Sequence, residues 1–247
     1  MGSLLVEEVL KDPAHFELYA GVESPSHPDT GQPVAPGSSA RVAKDFRQAL
    51  QGADLVIEFT QPEVSLAHAA QAAEARVPMV IGTTGFSSAQ FDALQGYARQ
   101  IPIFWSPNMS IGIVIVRRTI AALSKLLFDF GLGEKTRVTL SETHHTRKLD
   151  KPSGTAKALA QELFKATGWL IRDEEIEAKR EGEVIGIHSV TFHAPSEKIT
   201  IGHEATDRRV FAQGALLVAQ NFRDLFSKPG WYTMDHFINA CEKGYRQ

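Results

Sequence analysis

Over roughly its first 110 residues, the chain alternates short β-branched or apolar runs with segments of helical period, a pattern that commits it to βαβ units around a parallel sheet. The candidate strands span 16–22, 54–59, 77–81 and 101–105, and the helices between them span 63–75, opened by Pro62, and 88–99, capped by Ser87. Each strand runs into polar or glycine-containing residues: Glu23-Ser24, Thr60-Gln61-Pro62, Gly82-Thr83-Thr84-Gly85 and Ser106-Pro107-Asn108. In an open parallel sheet those turns line the crevice beyond the carboxyl ends of the strands, where ligands bind.

The Pro-, Gly- and Ser-rich stretch 24–40 has no period and reads as a surface loop. After a helix over 113–128 the texture changes. A strand over 136–143 precedes a helix over 155–166 with Leu159, Leu163 and Phe164 on one stripe, and strands over 188–192 and 198–203 meet at Pro195-Ser196. A long helix over 207–226, with Phe211, Leu217, Val218 and Phe222 inward, and a short one over 234–242 complete the chain. Two domains are expected: an α/β unit of 1–110 with 220–247, and an α+β unit of 111–219.

Composition narrows the function. With 26 basic against 29 acidic residues and no basic block, nothing marks a nucleic-acid surface. No run approaches the ~20 apolar residues of a membrane span, and the start, MGSLLVEEVLKD, has neither the basic flank nor the cleavage site of a signal peptide. The single cysteine, Cys241, reads as a buried thiol in a reducing cytoplasm.

The chemistry concentrates in one loop. His144-His145-Thr146-Arg147-Lys148 gathers four basic side chains at a strand end, and such a cluster is easiest to maintain where an anion will occupy it. Pro152-Ser153-Gly154-Thr155 then leads into a helix whose N-terminus offers backbone N–H groups and hydroxyls to a second anion. Two adjacent anion-binding elements suit a dicarboxylate; a solvated basic turn followed by an ordinary helix cap is the plainer alternative. No metal is expected, because the adjacent histidines point to opposite faces of an extended chain and no further ligand cluster is visible.

The segment ETHHTRKLDKPSGTA resembles the signature of the dihydrodipicolinate reductase (4-hydroxy-tetrahydrodipicolinate reductase) family, and FTQPE, VIGTTGF, SPNMSIG, KREGEVIGIHSV and HEATDRRVFAQGA extend the resemblance along the chain. It implies a Rossmann-type dinucleotide-binding domain, an α+β substrate and oligomerisation domain, and NAD(P)H-dependent reduction of 4-hydroxy-tetrahydrodipicolinate in lysine and diaminopimelate biosynthesis. It makes His144 the general acid and Lys148 a second proton donor, with His145, Ser153, Gly154 and Thr155 on the substrate carboxylates. For the cofactor it implies Glu23, Phe59, Thr60, Gly82, Thr83, Thr84, Ser106, Pro107, Asn108 and Met109. Many members place Arg or Lys directly after the residue matching Glu23; here Ser24 stands there, which predicts a preference for NADH.

There are departures. Members open with a strand and a G-x-x-G-R-M-G loop, of which Met1-Gly2 match only the end, so the fold is expected to lack its usual first strand and pyrophosphate cradle. A late-assigned start, with an N-terminal extension in the natural protein, and a dicarboxylate-binding remnant without turnover are the two readings of that departure. The family's excursion after IHSV is also short here, so a homo-oligomer is expected but the family's tetramer is not assumed. A related dehydrogenase working through a thiohemiacetal is disfavoured, because it needs a nucleophilic cysteine and only Cys241 exists.

Overall fold

The computed structural model describes residues 1–24 and 26–244, in two compact units: Met1–Met109 together with the chain from Phe211, and Ser110–Val210. In the first unit, α1 (Gly2–Lys11) leads to β1 (Ala20–Val22), β2 (Arg41–Ala43), the single turn α2 (Phe46–Ala49), β3 (Val56–Glu58), α3 (Pro62–Ala75), β4 (Met79–Ile81), α4 (Ser88–Tyr97) and β5 (Pro102–Trp105). The second unit contains α5 (Ile111–Asp129), β6 (Arg137–His144), α6 (Gly154–Thr167), β7 (Glu177–Arg180), β8 (Gly186–His193) and β9 (Lys198–Ala205). The chain returns through α7 (Arg209–Gln220), α8 (Phe222–Leu225), β10 (Gly230–Tyr232) and α9 (Met234–Gly244).

The parallel sheet runs β10-β5-β4-β3, with Ile81 aligned to both Glu58 and Trp105. All three β4 residues are fully buried, as expected of a strand covered on both faces. Met79 and Ile81 pack with Ala69, Ala72, Leu94 and Ile103 in one apolar core. Local chemistry sets the helix ends. Pro62 starts α3, Ser87 and Gln90 form a capping box on α4, and Ser110 and Ser153 cap α5 and α6. β1 pairs only with β2, in a separate two-stranded parallel sheet. β1 and β3 thus each have one strand partner among the described residues, and the parallel strands of this unit form two separate sheets.

The second unit is α+β. Its sheet, β7-β6-β8-β9, is antiparallel except where β7 joins β6, and its inner face packs with α5 and α6 around Ile120, Leu140, Leu159, Leu163, Val190 and Phe192.

The structure revises several sequence expectations. The strand expected over 16–22 shortens to β1, and β2, β7 and β10 carry too little alternation to be seen in advance. The helix expected over 207–226 breaks at Asn221. Leu217 and Phe164, read as core, are 39% and 50% exposed. In α7 the buried face is built from Ala212, Ala215, Leu216 and Val218, and in α6 from Ala156, Leu159, Ala160 and Leu163, so small residues set the phase of each stripe. Cys241 is half-buried, and burial pushes its thiol above the ordinary range. Among the described residues no helix is long and apolar enough to cross a membrane.

Candidate active site

Alternation along β6 places Leu140, Glu142 and His144 on its buried face, while β8 turns Gly186, His188, Val190 and Phe192 to the same side. Register then decides the neighbours: Leu140 lies opposite Val190, and Glu142 opposite His188. The inner surface of the sheet therefore changes from apolar to ionisable towards the end of β6, where the signature loop begins.

Glu142 is the hub. Its Oε1 accepts from the backbone N–H of Ser153 at 3.0 Å and from Arg180 Nη2 at 3.1 Å. Its Oε2 faces His144 Nδ1 at 3.3 Å and His188 Nε2 at 3.7 Å. Burial alone would raise its pKa, but His144, Ser153 and Arg180 outweigh that effect and hold the carboxyl down at about 2. Burial does the reverse to His188, lowering it to about 4, with His144 adding to the effect.

These two groups predict a pH window. Between about pH 6.5 and 4 the unfolded chain protonates His188 while the folded one does not, so stability declines as pH falls, by about 3 kcal/mol in total. Glu142 contributes stability above its unfolded value near 4.5, and that contribution is lost as pH falls towards about 2. Denaturant unfolding of wild type and His188→Gln should show the slope between pH 6.5 and 4 flattening in the variant. An unchanged slope assigns that window to another group.

The loop itself is more neutral than its sequence suggests. Arg147 makes a two-pronged contact with Glu183 at 2.7 and 2.6 Å, and Lys148 Nζ lies 2.7 Å from Asp150. Burial raises the Asp150 carboxyl, but Lys148 outweighs it and holds the group low. Self-repulsion therefore does not demand an external anion, because acidic partners within the fold, distant in sequence in the case of Glu183, supply the counter-charge. His145, half-buried, is held below the ordinary imidazole range by desolvation and then by Arg147 and Arg208. Ser153 is buried and caps α6 by accepting from Ala156 N–H, while Gly154 is exposed and Thr155 half-exposed at the helix mouth. His144, His145, Lys148, Ser153, Gly154 and Thr155 all lie at the joined ends of β6 and α6.

One expectation about metal ligands needs revising. Glu142, His144 and His188 offer ligand atoms within 4.8 Å of one another, a cluster that sequence reading missed because His188 arrives only through strand register. The carboxylate already neutralises Arg180, so a divalent cation there would sit beside a guanidinium.

In the first unit, Phe59, Gly82 and Ser106 directly follow the aligned residues Glu58, Ile81 and Trp105, at one edge of the parallel sheet. A Cβ on Gly82 would stand 2.2 Å from the Phe59 ring, so a larger residue there would have to displace that half-buried ring. Glu58 Oε1 accepts from Thr60 N–H at 2.8 Å, and His68 steadies Glu58 at 2.6 Å; neither residue was expected from sequence. Thr83 is buried with its hydroxyl lacking any hydrogen-bond partner, while Thr84 and Pro107 are exposed. Ser106 Oγ donates to the Asn108 carbonyl at 2.6 Å and holds the turn that buries Met109. Glu23 is exposed just past β1, in the separate two-stranded sheet.

Comparison with known proteins agrees along most of the chain. Residues 1–109 match the dihydrodipicolinate reductase N-terminus family and residues 112–238 the dihydrodipicolinate reductase C-terminus family. The 4-hydroxy-tetrahydrodipicolinate reductase of Lawsonia intracellularis is 34% identical, over 88% of this chain and 83% of its own. That of Syntrophus aciditrophicus is 32% identical, over 96% and 94%. Among solved structures, a dipicolinate-bound dihydrodipicolinate reductase from Paenisporosarcina sp. TG-14 shares the fold at a TM-score of 0.70, with 21% identity and 95% of both chains covered.

Proposed function

The chain belongs to the dihydrodipicolinate reductase family, and on that premise we propose that it reduces 4-hydroxy-tetrahydrodipicolinate to tetrahydrodipicolinate with NADH or NADPH, in lysine and diaminopimelate biosynthesis. The observation that carries this reading is the joined β6 and α6 ends, where the buried His144 and the tethered Lys148 share one loop with a capped helix N-terminus.

In this reading Gly154 and Thr155 hold one substrate carboxylate through backbone N–H groups and a hydroxyl at the positive end of α6, with the Gly154 N–H shared with Asp150. His145 serves the other carboxylate. Loss of the substrate's 4-hydroxyl with a ring proton as water leaves a conjugated dihydropyridine ring, to which the dinucleotide, when bound, would supply a hydride. His144 delivers the proton to the carbon left electron-rich, and Lys148 is the second donor, held in reach by Asp150. The parallel-sheet unit is the dinucleotide-binding domain in this reading. Its residues fit a nicotinamide nucleotide on two counts: the unpartnered, buried Thr83 hydroxyl, and a Gly82 whose missing side chain lets the Phe59 ring lie against the backbone. Phe59, Thr60, Thr84 and Ser106 to Met109 complete that edge.

Glu23 is assigned to the adenosine ribose hydroxyls. With Ser24 next to it in place of a base, the KM for NADH is expected to be lower than for NADPH. Steady-state kinetics with both cofactors decide this, and a clearly lower KM for NADPH overturns it. A homo-oligomer belongs to the same proposal, and sedimentation velocity measures it.

The test of the whole reading is a coupled assay of NADH oxidation, with calorimetry of NADH and of pyridine-2,6-dicarboxylate. Turnover with binding of both supports the reductase. Dicarboxylate binding without NADH binding or turnover replaces it with a noncatalytic binding protein.

A further inference from the structure

The KREGEVIGIH segment carries no role in the reaction proposed above, yet both of its ends enter the site. Arg180, the last residue of β7, reaches back across the signature loop. Its Nε donates to the Lys148 carbonyl at 3.2 Å, Nη1 to the Lys179 carbonyl at 2.6 Å, and Nη2 to both the Asp150 carbonyl and Glu142 Oε1. One planar guanidinium thus ties the Lys148–Asp150 backbone to the buried carboxylate, and a lysine in its place would offer no such fork.

The other half of the carboxylate meets the proton donor. Glu142 Oε2 and His144 Nδ1 face one another at 3.3 Å, with His188 Nε2 3.7 Å from the same oxygen, and neither Oε2 nor Nδ1 has a hydrogen-bond partner among the described residues. A fully buried carboxylate oxygen is costly to leave unsatisfied, so the stable arrangement places the imidazole proton on Nδ1, towards Glu142. Nε2 is then the atom left to exchange a proton. It faces Gly186, where a Cβ would lie only 3.1 Å from Nε2 and 3.6 Å from the His188 ring.

We propose that Glu142 and Arg180 are positioning residues of the reductase: the carboxylate fixes the orientation and tautomer of His144, and the guanidinium locks the backbone that carries Lys148 to the same carboxylate. This rests on the reading that His144 and Lys148 supply protons. The pair sets the relative placement of the two donors without touching substrate, and Gly186 keeps clear the space over the working nitrogen.

Nitrogen-15 NMR of histidine-labelled wild-type protein tests the geometry independently of activity, with the His144 signal assigned by its loss in His144→Gln. At about pH 9, well above the ordinary imidazole pKa, neutral His144 is expected as the Nδ1–H tautomer; a dominant Nε2–H tautomer overturns the proposal. In kinetics, Glu142→Gln and Arg180→Lys are each expected to lower kcat on the order of 10- to 100-fold, with KM values and affinity for pyridine-2,6-dicarboxylate changed less than about threefold. Glu142→Gln should also lose the Nδ1–H preference. Wild-type kcat in both variants, or a rise in KM and a loss of dicarboxylate affinity as large as the fall in kcat, overturns it. If either variant fails to fold, the wild-type tautomer still decides. If the wild type does not turn the substrate over, the proposed reduction fails while the tautomer continues to test the positioning pair.

Discussion

Replacing His144 by alanine is expected to lower kcat by roughly two to four orders of magnitude while changing KM and the affinity for pyridine-2,6-dicarboxylate only a few-fold. The imidazole is nearly buried at the last position of β6, with one nitrogen against Glu142 and the other over Gly186, so it is placed to transfer a proton and poorly placed to grip a carboxylate. Removing the ring leaves Glu142 with Arg180 and the Ser153 N–H, so the fold is expected to persist, and thermal melts verify that before kinetics are read. Thr155→Ala gives the contrasting pattern. A lost hydroxyl at the mouth of α6 weakens carboxylate binding by roughly 1 to 2 kcal/mol, raising KM about 10-fold with kcat nearly unchanged. Equal effects from the two variants would falsify the division of labour between proton delivery and binding.

The second large effect is expected in the other unit, at Gly214. A Cβ there would stand 1.8 Å from the backbone carbonyl oxygen of Met109 and 2.9 Å from its carbon. Neither can yield as a flexible side-chain end can, since Met109 is 1% exposed and closes the Ser106-Pro107-Asn108-Met109 turn. Gly214→Ala must displace either α7 or the turn, an overpacking penalty of about 3 kcal/mol, which lowers the melting temperature by on the order of 10 °C in a chain of this size. Because the turn belongs to the proposed cofactor edge, KM for NADH should rise as well. Gly96→Ala is the control. It lies in α4 with nothing within 4 Å of the added Cβ, so the substitution is expected to be neutral or to stabilise by about 0.5 kcal/mol. Matching melting temperatures for Gly214→Ala and wild type would show that the close approach is not real.

Much of this was legible in residue order. Pro62 and Ser87 are local signals that act within one helical turn, and each marks its helix start as expected. The strand ends carrying Thr60, Gly82 and Ser106 align because parallel strands of similar length finish together. Short strands were the weak point: β2, β7 and β10 hold three or four residues each, too few to display a period. Core stripes were read from large side chains, whereas Ala212, Ala215, Ala156 and Ala160 set the packed faces and turned Leu217 and Phe164 outward. Gly214 left a trace only in FAQGA, which says nothing about the carbonyl it must clear.

The signature loop shows the division most clearly. His144, His145, Lys148, Ser153, Gly154 and Thr155 are neighbours in the chain, so their identity, order and joint presence at a strand end before a helix follow from the sequence alone. Alternation even places Glu142 and His144 on one face of β6. Which groups complete that face was decided only in three dimensions. Strand register brings His188 opposite Glu142, the parallel pairing of β7 with β6 delivers Arg180 to the same carboxylate, and Glu183 folds back to neutralise Arg147. Local pattern is set by forces acting over one turn or one pleat, whereas charge compensation in a buried site depends on which distant strand burial pairs with which, and no spacing in the chain encodes that.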